Sequence, residues 1–373
     1  MTGPRYPDLI ARLPETVPFV GPEVQERAMG QLFRARLGAN ESAFGPSPFA
    51  IDAMQDAAAD VWMYSDPSSF DLKNALSARM GCTPENIVLA DGIDGLLGNC
   101  VRLLVTEGDA VVTSDGAYPT FNYHVTGFGG TLHKVPYRDD VEDIDALLAR
   151  AAEVDAKLVY LSNPDNPMGS WHPGARIESA LNRLPDGCVL ALDEAYIEFA
   201  PEGTAPRIDP QDPRVIRFRT FSKGYGMAGA RVGYAVGEWN FIKAFDKVRN
   251  HFAMSRISQA GVLAALEDDL WLREVVRKTA EARERIATIA GDHGLSTLPS
   301  ATNFVAVDCG RDGAFARAVL DALITRGVFV RMPGVAPLDR CIRVTAGKPD
   351  DLDVLAEVLP EALAAAQGTS EGG

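Results

Sequence analysis

The feature that most constrains this chain is a recurring pattern of apolar runs and polar loops. Between residues 85 and 225, short apolar runs each end in a polar loop bearing Gly or Pro, or in an acidic turn: NIVLA then DGID, DAVVTS then DGAYPTF, KLVYLS then NPDNPMG, CVLAL then DEAY, RVIRFRTF then SKGYG. Helix-like stretches separate several of them, including GLLGNCVRLLV at 95–105 and EDIDALLARAAEV at 142–154. Strand runs alternating with helices mean βαβ units and a largely parallel sheet. Ligands of such sheets gather outside the carboxyl ends of the strands. The unusual residues of this chain fall there, run after run.

At 373 residues the chain exceeds what one core usually organises, so two domains are expected. Residues 1–38 read as an N-terminal arm, Pro- and Gly-rich at first and then helical around EVQERAMGQLFRARL. Residues 39–270 carry the strand runs, and 271–373 form a smaller α/β domain from NFVAVD, GVFVRM and CIRVTAG with the helix FARAVLDALITR. A long helical segment over roughly 240–290 bridges the two. Hydrophobic content of 46% and 23% charge allow a large core that needs no disulfide framework and no structural metal. The net charge of −15 argues against nonspecific binding to nucleic acid or anionic membranes. The five scattered cysteines, without a C-x-x-C pair, suit a reduced cytoplasmic protein. No run approaches 18 consecutive apolar residues, and the N-terminus does not resemble a secretory signal.

The stretch RTFSKGYGMAGARVGY (219–234) contains Gly224-x-Gly226-x-x-Gly229, the spacing of a dinucleotide-binding loop. That reading requires a crossover helix after the third glycine, and a crossover takes a dozen or more residues. Here strand-like ARVGYAVG follows at once. No G-x-x-x-x-G-K-[ST] loop occurs either. A lysine site fits better: Lys223 follows a strand run, among small residues that would let a bulky ligand approach the backbone. A lysine desolvated there loses basicity and can attack a carbonyl to form an imine. Ser222 and Arg231 flank it and could hold a phosphate. The bland alternative is a solvated surface lysine.

Other strand ends add parts. Asp193 follows CVLAL, as a structural cap or as an acid held ionised beneath a cationic heterocycle. NPDNPMG (163–169) is a rigid turn that could fix an amide side chain, or only a turn. DGAYPTFNYH (115–124) clusters three aromatics. DGIDGLLGNCVRLLV opens a helix whose free N–H groups make an anion site. Jointly these ask for a phosphate, a flat ring, a basic ring nitrogen and an imine-forming carbonyl, all of which pyridoxal 5′-phosphate possesses.

YSDPSSFDLKNAL, GAYPTF, NPDNPMG, LDEAY and TFSKGYGMAGARVGY together closely resemble the fold-type-I pyridoxal-phosphate aminotransferases of classes I and II, most of all the histidinol-phosphate aminotransferase branch. The resemblance covers about residues 14–365. It implies an α/β fold, with a mostly parallel seven-stranded sheet between helices plus a smaller C-terminal domain. It implies that Lys223 holds the cofactor as a Schiff base and shuttles the proton, while Asp193 pairs with the pyridine nitrogen. Asn166 and Tyr196 would bond the ring's 3′-oxygen, and Phe121 would stack on the ring. Ser222, Arg231, Thr220 and the N–H groups of Ile93 and Asp94 would hold the phosphate. Tyr64 would reach the phosphate of a neighbouring subunit, which implies a homodimer with shared sites, and Arg343 would clamp the substrate α-carboxylate. Arg343 also lies between Ile342 and Val344 in a strand run, so its side chain projects opposite to theirs, towards a ligand or a structural acid.

Three positions depart from the branch. Met168 replaces Thr, Gly95 replaces an acid, and Phe19 replaces a tyrosine that helps hold the substrate's phosphate. Arg331, in FVRMPG, matches another distal-phosphate contact or is a surface arginine. The leading expectation is transamination between histidinol phosphate and 2-oxoglutarate. An aromatic or other amino-acid aminotransferase is the near alternative, favoured by Phe19, and a phospho-amino-acid decarboxylase is a second. A regulator using the scaffold without catalysis would carry a DNA-binding segment, for which the short Pro-rich arm leaves no room.

Overall fold

The computed structural model describes residues 3–15 and 19–370. Its strands, in chain order, are β1 (Ala35–Arg36), β2 (Ile87–Ala90), β3 (Ala110–Ser114), β4 (Thr131–Val135), β5 (Leu158–Ser162), β6 (Val189–Asp193), β7 (Val215–Thr220), β8 (Gly233–Val236), β9 (Ser296–Thr297), β10 (Phe304–Asp308), β11 (Val328–Phe329) and β12 (Cys341–Thr345).

Seven of them form one sheet in the order β2-β8-β7-β6-β5-β3-β4. The pairs β3–β4, β3–β5, β5–β6 and β6–β7 are parallel, and β8 runs antiparallel to both its neighbours. Side chains alternate across the sheet. Leu158, Tyr160 and Ala191 join one buried cluster, and Val159, Leu161, Leu190 and Leu192 join another on the opposite face. Burial on both faces explains why these strands read as continuous apolar runs. The edge strand β4 is only partly buried and largely polar, TLHKV, so its run does not stand out in the sequence.

A second sheet, β12-β10-β9, packs with the helices Gly313–Thr325 and Pro349–Ser370 around a separate core. Ala35 and Leu37 belong to that core, and β1 pairs in parallel with β11. The stretch just before residue 38 is thus anchored among the C-terminal elements, which aims residues 38–41 between the two cores.

Two helical expectations need correction. The helix in the N-terminal region spans Pro22–Met29 and stops at Gly30, whose φ of 70° gives a left-handed cap. Its expected continuation is instead β1. The segment 240–290 is broken into Trp239–Ala244, Arg256–Glu267 and Asp269–Asp292. Ser255 and Asp268 restart the helix by accepting hydrogen bonds from the N–H groups of Ser258 and Trp271.

Candidate active site

A cavity of about 420 Å³ opens at the carboxyl ends of β5, β6 and β7. Lys223, Asp193, Tyr196, Asn166, Thr220, Ser222, Ile93, Asp94, Arg231, Arg343 and Phe19 all line it. These residues come from seven separate stretches of chain, and the parallel sheet delivers most of them by ending its strands at one edge.

Lys223 sits where β7 gives way to a turn. Its Nζ donates to the Asn40 carbonyl at 3.0 Å and lies 5.6 Å from the Tyr196 ring centroid. Burial, and then the nearby Arg343 cation, bring its pKa down to about 8. The amine is therefore available as a nucleophile close to neutral pH.

At one end of the cavity the helix Ile93–Leu104 begins, and its first-turn N–H groups have no partner within the helix. Arg231 reaches the same place. Its guanidinium donates to Ser222 Oγ at 3.4 Å and to the carbonyls of Ala228 and Asp91, and lies 3.7 Å from Asp94. Thr220 Oγ1 donates to Ser222 Oγ at 3.0 Å. Hydroxyls, a guanidinium and a helix N-terminus make an anion cradle. Gly92 keeps it open: a Cβ there would meet Arg231 Nη2 at 2.5 Å.

At the other end, Asp193 is buried at the last position of β6. Its Oδ2 accepts from the Tyr160 hydroxyl at 2.7 Å and its Oδ1 from the Ala195 N–H at 2.9 Å. Burial pushes its pKa up to about 6. Arg343 is 8% exposed and donates to Asn166 Oδ1 at 2.5 Å and the Gly38 carbonyl at 3.1 Å. Its Nε is buried without a partner, and it forms no ion pair among the described residues. Burial lowers its pKa to about 10. Because Arg343 takes the carbonyl oxygen of Asn166, the amide Nδ2 is left for another acceptor. The Tyr196 hydroxyl accepts from Asn40 Nδ2 at 3.1 Å, which leaves its own proton to donate; burial raises its pKa to about 12.

The glycines around Lys223 serve less as clearance for a ligand than the sequence suggests. A Cβ at Gly224 would press on Glu198, and one at Gly226, where φ is +69°, would meet the Gly45 carbonyl oxygen at 2.2 Å. Both accommodate crossings of the chain with itself. Only Gly229 lines the cavity, with nothing within 4 Å of its absent Cβ.

Three expected residues lie off the cavity wall. Phe121 is wholly buried and stacks on Tyr160 at 4.4 Å, so it backs a residue of the wall and does not form the wall itself; Tyr118 lines the cavity there. Arg331 stacks over Phe19 at 4.4 Å and donates to the Val20 carbonyl, fastening the segment that carries Phe19. Tyr64 is 80% exposed and packs on Phe252.

Conversely, Asn40, Glu41, Tyr118, Thr120 and Tyr160 line the cavity although sequence reasoning passed them over. Asn40 could have been suspected from its place in LGANES, a short polar turn after the alternating stretch FRAR. Tyr160 gave only the signal of a polar tip inside an otherwise aliphatic strand run.

A mostly parallel seven-stranded sheet, with an amine, a buried acid and a buried guanidinium at its carboxyl edge, is the arrangement of a fold-type-I transferase. Residues 35–359 match aminotransferase class I and II, and the chain belongs to that family. The histidinol-phosphate aminotransferase of Sinorhizobium meliloti, solved in complex with pyridoxal 5′-phosphate, is 53% identical. It superposes with a TM-score of 0.94 over 97% of this chain and 98% of its own. Histidinol-phosphate aminotransferase 2 of Carboxydothermus hydrogenoformans is 35% identical, covering 88% of this chain and 90% of that protein. The histidinol-phosphate aminotransferase of Anaeromyxobacter sp. is 34% identical over 92% of this chain and 95% of its own.

Proposed function

We propose that this aminotransferase uses pyridoxal 5′-phosphate to exchange the amino group of histidinol phosphate with 2-oxoglutarate. The observation that carries the reading is that Lys223 and Arg343 reach one cavity while neither is neutralised by a carboxylate in contact.

The residues fit the cofactor. The cradle at Gly92 and Arg231 suits its phosphate, and the buried Asp193 suits its basic ring nitrogen. When bound, the cofactor supplies an electron-withdrawing ring that stabilises negative charge at the substrate's Cα. Ser222, Thr220, Arg231 and the N–H groups of Ile93 and Asp94 would hold its phosphate. Asp193 would hold a proton on the ring nitrogen, and Asn166 Nδ2 and the Tyr196 hydroxyl would donate to the ring oxygen. The Lys223 amine, with its depressed pKa, takes the proton from Cα and returns it on the other side of the transfer. Arg343 orients the substrate by its carboxylate in a bidentate clamp when the acceptor is a 2-oxo acid. Residues 39–270 would form the cofactor domain and 271–373 the smaller one.

A second reading rests on Phe19, which lines the cavity without a hydroxyl to offer a phosphate. It favours a donor with an aromatic side chain. A panel of amino donors, histidinol phosphate, phenylalanine, tyrosine and phosphothreonine, separates the readings by the loss of the cofactor's lysine-bound absorbance. Fastest conversion by histidinol phosphate supports the first reading. No conversion by it, with conversion by phenylalanine or tyrosine, replaces it.

The enzyme is further proposed to be a cytoplasmic homodimer. Trp62, Tyr64 and Phe70 are 79%, 80% and 66% exposed in the single chain and would be covered by a second copy. Tyr64 would then reach the partner's phosphate site. The molar mass in solution tests this, with twice the 40.1 kDa of the chain expected.

A further inference from the structure

We propose that Tyr160 is a positioning residue for the reaction: its hydroxyl holds the Asp193 carboxylate ionised and aimed at the cofactor's ring nitrogen. The inference rests on the pairing of Asp193 with that nitrogen, as proposed above.

The argument begins with the sheet. β5 and β6 are parallel neighbours in which Ser162 stands opposite Asp193, two residues beyond Tyr160. A tyrosine is long enough to reach along the strand end, and the hydroxyl meets Asp193 Oδ2 at 2.7 Å. The Tyr160 ring cannot swing away. It is fully buried and lies nearly parallel to Phe121, with an interplanar angle of 18°. This gives Phe121 a purpose although it does not line the cavity.

The charges around Asp193 make the hydroxyl matter. Asp94 from the start of the helix Ile93–Leu104 and the adjacent Glu194 both oppose its ionisation. Glu142, just ahead of the helix Ile144–Glu153, is a further acid near enough to repel it. Tyr196 contributes only a neutral hydroxyl. Glu194 is committed to Arg217 and Arg219, so those cations do not serve Asp193. Asp193 itself forms no ion pair among the described residues. Two hydrogen bonds, from Tyr160 O–H and Ala195 N–H, are what favour the anion against burial. Burial also pushes the Tyr160 phenol far above its ordinary range, so it stays a donor at every working pH. Without it Asp193 would hold its proton near neutrality and pair poorly with a ring cation.

The test uses the full-length protein freed of cofactor, titrated near neutral pH with pyridoxal 5′-phosphate and with its deaza analogue, in which C–H replaces the ring nitrogen. Wild type, Tyr160→Phe, Asp193→Asn and the double variant are compared. Tyr160→Phe is expected to weaken binding of pyridoxal 5′-phosphate by about ten- to a hundredfold, the range for a hydrogen bond to a charged group. Binding of the deaza analogue should change by less than about threefold, as should any effect of Tyr160→Phe in the Asp193→Asn background. Equal losses for both ligands would mean a packing role and overturn the inference, as would no loss at all. A Tyr160→Phe variant that cannot fold would overturn it too, because the hydroxyl would then be a folding determinant. If wild type bound both ligands equally, the pairing of Asp193 with the ring nitrogen would itself fail. That outcome is distinct from a wild type that discriminates and a variant that does so equally well.

Discussion

Lys223 Nζ donates to the backbone carbonyl of Asn40 at 3.0 Å, so the lysine amine is held by a residue 183 positions earlier in the chain. Asn40 is itself fixed from three sides. It exchanges hydrogen bonds with Thr345, its amide donates to Tyr196, and Asn303 Nδ2 donates to the same carbonyl that Lys223 uses. Thr345 and Asn303 come from the second core's side of the molecule, Lys223 and Tyr196 from the large sheet. The Lys223 amine therefore sits at the seam between two cores, and its geometry depends on both.

The lysine's basicity gives the first prediction. A depressed pKa means the free amine appears as pH rises through about 8, well below the ordinary 10.5. The rate at which cofactor-free protein captures pyridoxal 5′-phosphate should rise with that midpoint. Arg343 lowers the lysine's pKa, so Arg343→Gln should move the midpoint upward. Stopped-flow absorbance measures both; a wild-type midpoint near the ordinary lysine value would contradict the account.

A second prediction concerns the ion triad behind the site. Glu194 is fully buried, and Arg217 and Arg219 reach it at 2.8 Å with side chains 12% and 16% exposed. Glu194→Gln leaves two buried guanidiniums underpaired and should cost about 3–5 kcal/mol in denaturant unfolding. Burial pushes the Glu194 carboxyl up, but Arg219 and Arg217 outweigh it and hold the pKa below 4.5. The folded value is thus below the unfolded one. The stability gap between wild type and variant should be complete above the unfolded value and close as pH falls through the lower folded value.

Much of this was legible in sequence, for a physical reason. Parallel strands buried on both faces write themselves as apolar runs, and whatever follows each run lies at one edge of the sheet. Lys223, Asp193 and the loops that carry Asn166 and Ile93 could be placed together on that basis, while the choice of Asn166 and Ile93 themselves came from the family resemblance. Asn40 could not. Its role depends on a left-handed φ of 56° and on partners more than 150 positions away. Tyr160 looked like one more core residue because only its hydroxyl differs from Phe. The short β1 and the polar edge strand β4 carry too little apolar pattern to be seen. Glycine spacing misled as well: Gly224 and Gly226 answer to Glu198 and Gly45, neither of which is near in sequence.

That last point yields a contrast between two glycines three positions apart. Gly226→Ala forces a side chain into a left-handed backbone, at roughly 1–2 kcal/mol, and into the Gly45 carbonyl. Gly229→Ala meets nothing within 4 Å. Thermal unfolding should show Gly226→Ala clearly less stable than wild type and Gly229→Ala close to it. Equal stabilities would mean the turn is not packed as described.

Under the proposed function the Phe19–Arg331 stack bears on the substrate. Arg331 lies 4.4 Å from the Phe19 ring and also donates to the Val20 carbonyl, so it holds the segment at the cavity mouth. A cation–π contact is worth about 0.5–1 kcal/mol at an exposed site. Arg331→Gln should raise KM for histidinol phosphate severalfold and change kcat less, since it touches no reacting atom. Phe19→Tyr should lower that KM by supplying a hydroxyl. Steady-state kinetics of the two variants decide the matter, and an unchanged KM in both would remove this segment from substrate binding.

The central claim is that Lys223 is the residue through which this aminotransferase works. Its most direct test is the half-reaction of Lys223→Ala beside wild type, both reconstituted with pyridoxal 5′-phosphate and mixed with histidinol phosphate while absorbance is followed. Wild type should show the lysine-bound cofactor band and lose it on mixing. The variant should lack that band and transfer no amino group on the same timescale. Amino transfer by Lys223→Ala at the wild-type rate would contradict the account.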